Sequence, residues 1–398
     1  MRISSNMMFD SNAASMNQMQ SRLLQTQQQL SSGQRMINPS DDPVAAARAL
    51  EVTQMDAINT QYSANRDAAR GSLTIADGVL QGVTSAIQDV QTFAVSAGHG
   101  SIDSTTRQTI VNGLKGSLQT LVGLANSKDD LGNYLFSGFQ SKTQPFVDTG
   151  AGMSYLGDDG QHQMQVSSNQ QMVVSDSGAD VFMRIKNGNG TFDVKPAPAN
   201  TGTGGVSVGS VTNPALLTGN SYSLAFSVVG GVTTYDVTNT TTGATVSAGN
   251  PYVSGQSISF DGMQTSVSGA PADGDVFTVQ PSSNESIFTT IKDLINALNA
   301  PAGGANLTNS LTRGLNNLNN ALNNVLTTQS SVGIRLNQID ELQTTGDNLG
   351  LQFKQTLSNL QDTDYSKAII ALNQQNLGLQ AAQKSYALIS NLSLFTYL

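Results

Sequence analysis

The residue types that most often carry chemistry are few in this sequence, and they are not grouped. Histidine occurs twice, as His99 in the turn Gly98-His99-Gly100 and as His162 in a polar stretch. Neither has a Ser, Asp or second His arranged beside it as a catalytic triad or a metal set, so both are read as surface residues. Asp158-Asp159-Gly160 and Asp273-Gly274-Asp275 look superficially like calcium loops, but neither continues into the ligand ladder and closing Glu of an EF-hand. Aspartate and glycine suit tight turns on steric grounds, and turns are the reading taken. No glycine run sits between a strand and a helix as a phosphate cradle requires. Cysteine is absent, which excludes disulfides, thiolate metal sites and thiol nucleophiles. Met7, Met8, Met16 and Met19 are read as packing residues rather than metal ligands, and Asp41 and Asp42, set between Pro39 and Pro43, as helix-capping oxygens. The sequence therefore offers no catalytic residue, no metal ligand and no cofactor site.

What remains to be positioned is apolar surface at the two ends. From Tyr365 onward, Leu372, Leu379 and Tyr386 recur every seven residues, with Ala368, Gln375, Ala382 and Ile389 offset by three, the interleaved pattern of an amphipathic helix seam. Beyond Ser366 the only charges are Lys367 and Lys384, and the chain runs out through Leu392, Leu394, Phe395, Tyr397 and Leu398. At the other end Met16, Met19, Leu23 and Leu30 take heptad positions, with Thr26 completing the set and Arg22 the only charge between Ser11 and Gln34. Two charge-poor helices of this kind can pair along their seams. Their remaining faces are Gln, Asn and Ser, which hydrogen-bond in an interface without the cost of burying ions. These residues are expected to pack against partners rather than water.

The bulk composition agrees with an interaction protein. Charged residues make up 12% of the 398, about half the usual share of roughly 25%, and the net charge is −9. Nucleic acid and anionic membrane are poor partners for such a surface. The segment Met1 to Gln20 lacks the apolar run of a secretory signal, and no stretch approaches 18 consecutive apolar residues.

In chain order, Val44 to about Ser96 keeps a three-four apolar spacing, predicting a rod of about 75 Å at 1.5 Å per residue, with a bend expected between Arg70 and Gly82. A shorter helix is expected from Ser104 to Ser127. Between Leu131 and Ser282 glycine, threonine, serine and valine take over. Alternating runs bracket Gly230-Gly231 and Asp261-Gly262, two hairpin turns. The Gly-rich run Asn200 to Gly209 is read as a mobile loop. Helices resume at Glu285, break at Pro301, Gly303 and Gly304, and continue from Leu311 to Leu360 as a second rod with Asn and Gln on its outer face. The fold class is α+β and multidomain. Residues 1–40 with 361–398 form a terminal helical domain, 41–140 with 282–360 an antiparallel long-helix rod domain, and 141–281 an inserted β-rich domain at the far end.

Several stretches carry a family resemblance. Leu30-Ser31-Ser32-Gly33, followed by Ile37, Asn38, Asp41 and Asp42, is similar to flagellin-type proteins. The run Asn38-Pro39-Ser40-Asp41-Asp42-Pro43-Val44-Ala45-Ala46 resembles more closely the hook-associated protein 3 branch of that family, the hook–filament junction proteins. Gly132 to Gly138 with Thr143 to Phe146, Gly274 to Val279, Asp364 to Ile369, Leu372 to Gln375, and the Leu394-Phe395-Thr396-Tyr397-Leu398 ending agree with it. A flagellin-like antiparallel long-helix bundle with paired terminal helices follows from the resemblance. So does a structural role joining hook to filament, with export by the flagellar type III route without a cleaved signal. The implied partners are a neighbouring hook-associated protein, flagellin, copies of the chain in a helical layer, and an export chaperone masking the C-terminal helix. The terminal helices would form an inner tube and the β domain project outward. A filament flagellin subunit is the alternative within the class. A fibrous adhesin with a glycan-binding β domain is the alternative outside it, with Tyr222, Tyr235 and Tyr252 too scattered to favour it.

Overall fold

A computed structural model describes residues 5–98, 103–150, 152–300 and 305–391. Six α-helices are found there: α1 (Ser5–Ser32), α2 (Pro43–Ala97), α3 (Ser104–Ala125), α4 (Ile287–Asn299), α5 (Ala305–Gln361) and α6 (Tyr365–Asn391). Helix α2 starts where the sequence punctuates. Pro43 fills its first position, the Asp42 carboxylate accepts the Ala45 amide at 3.0 Å, and Asp41 accepts those of Ile37 and Asn38, satisfying donors with no partner inside a helix. Asp103 and Ser286 cap α3 and α4 in the same way. Helix α2 continues unbroken through Arg70 to Gly82, where its glycines predict a bend. The predicted turn at His99 and the break at Pro301, Gly303 and Gly304 lie outside the described residues.

The chain divides into two compact units, residues 1–64 with 341–398 and residues 65–340, and α2 and α5 contribute to both. In the first, α1 packs on α6 and α2 runs antiparallel to α5, with the Asn59 amide donating to Gly346 O at 2.8 Å. In the second, the two long helices are again antiparallel. Arg70 pairs with Asp340, Gln329 donates to Asp77 and Gln91 to Asn319. Leu73, Leu80, Val83 and Ile87 of α2, Val111 and Leu114 of α3, Ile291 and Leu294 of α4, and Leu318, Val325 and Val332 of α5 are buried to 1% exposure or less. The three-four spacing thus lands on one face.

Between α3 and α4 come two small hairpins, β1 (Phe146–Asp148) with β2 (Met153–Tyr155) and β3 (Gln163–Ser167) with β4 (Gln170–Val173). After β5 (Ile185–Lys186) the insert proper begins with β6 (Phe192–Pro196), β7 (Gly205–Val206) and β8 (Ser210–Val211). It continues with β9 (Tyr222–Val229), β10 (Val232–Asn239), β11 (Thr245–Pro251), β12 (Ser257–Phe260), β13 (Met263–Ser268) and β14 (Val276–Pro281). A short β15 (Asn284–Glu285) pairs back to β5. One sheet has the order β11-β10-β9-β14-β6 and the other β12-β13-β7, with β8 also on β13. Gly230 and Gly231 close the β9–β10 hairpin with φ of +60° and +82°, the left-handed pair that a two-residue turn needs and glycine accepts at no steric cost. Asp261 and Gly262 close β12–β13 likewise. Tyr222, Tyr235 and Tyr252, scattered in the sequence, gather on one core. Tyr222 lies 5.0 Å from Phe260, and Phe226 touches both Tyr235 and Tyr252. The run Asn200 to Gly209 is not the mobile loop its glycines suggest. The buried Asp275 carboxylate accepts the amides of Thr201 and Gly202, and Asn309 of α5 binds both Gly204 O and Val206 N.

Asn309 is one of a row. Asn306, Asn309, Asn316, Asn317, Asn320 and Asn324 of α5 all hydrogen-bond backbone of the chain between Asp180 and Val206. These asparagines of the rod's outer face are therefore seats for the insert and its neck. At the centre Arg313 donates to Asp193 and Glu285 and lies near Asp293. Burial pushes the Glu285 carboxyl up, but the Arg313 charge and hydrogen bonds from Thr290, Asn187 and Asn317 outweigh it and hold Glu285 below its usual range. Asp293 is pushed above its usual range by burial and by the Glu285 charge.

Candidate assembly interface: the paired terminal helices

Helices α1 and α6 lie antiparallel and meet along the two seams. Phe9 and Tyr386 touch edge to face at 5.9 Å, and at the opposite end Gln34 bridges to Asp362. Met16, Met19, Leu23 and Leu30 of α1 are half-buried, and so are Leu372, Leu379 and Tyr386 of α6, while Thr26 and Ala368 are buried. The hydroxyl of Thr26 donates to Arg22 O, so this polar seam position is satisfied within α1. Seven of the expected packing residues are thus half-buried on this pair of helices within one chain. The side chain of Ile389, and Leu392, Leu394 and Phe395, lie outside the described residues.

The helix pair is tied to the long helices at an elbow made of residues 33–42 and 361–364. Gly33 takes φ +72° past the end of α1, the left-handed position that glycine fills most readily. Its carbonyl accepts the Thr363 amide at 2.9 Å, and the Arg35 amide donates to Gln361 O at 2.6 Å. The Arg35 guanidinium donates to Leu360 O and pairs with Asp42 at 3.5 Å, placing a cation on the open carbonyls at the C-terminus of α5. Arg35 stands in a segment read only for its turns and caps, and no periodic signal marks it.

Sequence reasoning missed a second apolar face on α6. Ile370, Leu377 and Leu388 point away from α1 and are 57%, 67% and 67% exposed. Their spacing of seven and eleven residues is itself helical, but the seven-residue repeat of Leu372, Leu379 and Tyr386 is the stronger pattern and hides it. Among the described residues no helix is long and apolar enough to cross a membrane. His162 lies against Phe139 at 5.3 Å, and the Asp158 carboxylate accepts the amides of Phe139 and Gly160, which makes Asp158 a turn-forming residue.

Long antiparallel helices, a helical pair made from the two ends and a β insert in the middle define a flagellin-type fold. Residues 3–141 match the bacterial flagellin N-terminal helical region, and residues 197–281 match the D2-like domain of flagellar hook-associated protein 1. Flagellar hook-associated protein 3 of Salmonella typhimurium is 27% identical over 99% of each chain. The crystal structure of the flagellar junction protein FlgL from Legionella pneumophila is 32% identical, covers 79% of this chain and 100% of its own, and superposes with a TM-score of 0.72. Xanthomonas campestris FlgL is 29% identical over 77% and 99%, also with a TM-score of 0.72. The chain belongs to the flagellar hook-associated protein 3 family.

Proposed function

We propose that this chain is a non-catalytic structural part of the bacterial flagellum that joins hook to filament. Copies stand in a helical layer, with a hook-associated protein on one side and flagellin on the other. The three-part division into terminal, rod and inserted β domains serves this role. The α1–α6 pair makes the axial contacts, the long helices carry the load, and the insert projects. The chain travels unfolded through the flagellar type III route, with an export chaperone over α6 until assembly. The observation that carries the reading is the end-helix pair. It is nearly free of charge, held together by its seam, and still bears an unpartnered apolar face, as a subunit that must bind neighbours requires. Likeness to hook-associated protein 3 along the whole chain supports it. The test is to express the chain in a bacterium lacking its own junction protein. Restored filaments and swimming are expected, and secretion of unattached flagellin into the medium despite normal export of the chain would refute the role.

A further inference from the structure

The exposed face of α6 has a counterpart at the elbow. With 3.6 residues per turn, Ala368, Leu372, Leu379 and Tyr386 fall on the side of α6 that faces α1, and Ile370, Leu377 and Leu388 on the side nearly opposite. At the elbow a groove of about 530 Å³ is walled by Met36, Ile37, Pro39, Pro43, Ala46 and Leu50, and none of its lining residues is charged. Leu50 is 72% exposed at its edge. The Leu377 and Leu388 part of the α6 face does not reach the groove of its own chain. A rise of 1.5 Å per residue sets Leu377 about 18 Å and Leu388 about 35 Å along α6 from its start at Tyr365, whereas the groove ends at Gln361.

The charges around the two surfaces are complementary. Helix α6 carries Lys367 and Lys384 and no acid. Lys367 is held by Asp364, while Lys384, beside the apolar face, has no ionic partner among the described residues. Beside the groove stand Asp41, bound to the amides of its wall residues Ile37 and Asn38, Asp42, paired with Arg35, and Asp362, next to Gln361: three acids against one base, a net charge of −2. We propose that the elbow groove of one copy receives the Ile370–Leu377–Leu388 face of α6 from a second copy. The inference rests on the reading that copies stand side by side in a layer, and it names the surfaces they use. The two patches differ and every copy carries both, so the contact is heterologous and propagates from copy to copy instead of closing at a dimer.

The absence of cysteine makes the test direct. Full-length Leu50→Cys and Leu377→Cys chains are purified separately, mixed at high concentration and treated with a short bis-maleimide, with Val229→Cys on the insert as the collision background. Thiols at such exposed positions leave the fold intact, which circular dichroism verifies. The mixture is expected to give a cross-linked dimer at least tenfold above background, and Lys384→Glu in the Leu377→Cys chain to lower its yield several-fold. A chain with both thiols should form a ladder. Yield at background, or Leu377→Cys cross-linking to itself as well as to Leu50→Cys, overturns the proposal. Restoration of filaments by the wild-type chain is scored separately, so the junction role can stand while this contact falls.

Discussion

Asn317 is buried at 3% exposure, and its side-chain amide works in two directions. It donates to Glu285 at 2.9 Å and accepts the Gly188 amide at 3.0 Å. Asn317→Ala leaves that amide unpaired and Glu285 short of a donor, and unsatisfied buried groups cost about 1–3 kcal/mol each. Urea unfolding should show a loss of that size, while Asn319→Ala, on the same helix, should lose less. The carboxylates nearby have opposite signs. Glu285 is held below its usual range, so its stabilisation is present at neutral pH and disappears as pH falls through that lowered value. Asp293 is held above its usual range, so its charge opposes folding at neutral pH and the opposition is relieved on acidification. Asp293→Asn should therefore raise the thermal midpoint at pH 7. The gain should vanish below about pH 3.9, where an ordinary aspartate is itself protonated. A gain that persisted at pH 3 would refute this account.

Helix α6 packs one face on α1 and leaves the other bare, so substitutions on the two faces should separate. Leu379→Asp with Tyr386→Asp places carboxylates in the half-buried seam, where a desolvated charge is costly. Amide exchange should then speed up in both α1 and α6 while α2 to α5 keep their protection, and the variant should fail to restore filaments. Leu377→Asp, on the bare face, should leave that exchange unchanged. The long helices were readable from the sequence because three-four spacing sustained over about 50 residues fits a helix and no other regular element. The seam of α6 was readable for the same reason. Its second face was not, since apolar residues on both sides of a helix blur the contrast that identifies either. The asparagines of α5 misled for a different reason. Asn binds water and backbone equally well, and nothing in its spacing tells which partner the fold supplies.

At the scale of the molecule, the insert is held by polar contacts. Its two strand connections to the helices meet at a neck where Asn187 N donates to Ser283 O and Ser282 N to Thr191 O. Replacing Gly188 to Pro281 by a short linker uncovers mainly asparagines on α5, which water can satisfy. The shortened chain should stay soluble, keep its helical circular dichroism and still restore filaments. Loss of filaments from a folded, exported variant would give the insert an essential contact. The β character of this region was legible from its alternation and its two glycine-marked hairpins. Its anchorage was not, because the Asn200 to Gly209 run is ordered by Asp275 and Asn309, both distant in sequence.

The pairing of α1 with α6 also dictates an order of events in time. Phe9 and Tyr386 are almost a full chain length apart, and closing a loop costs about 0.6 kcal/mol more for each doubling of its length. The two-residue β9–β10 hairpin closes early at little cost. The ends meet cheaply only after α2 and α5 have aligned, with Asn59 already on Gly346, which shortens the remaining search to the two terminal arms. The α1–α6 contact is thus expected to be the last to form, and a chain caught before that moment is one whose ends are still free to choose a partner.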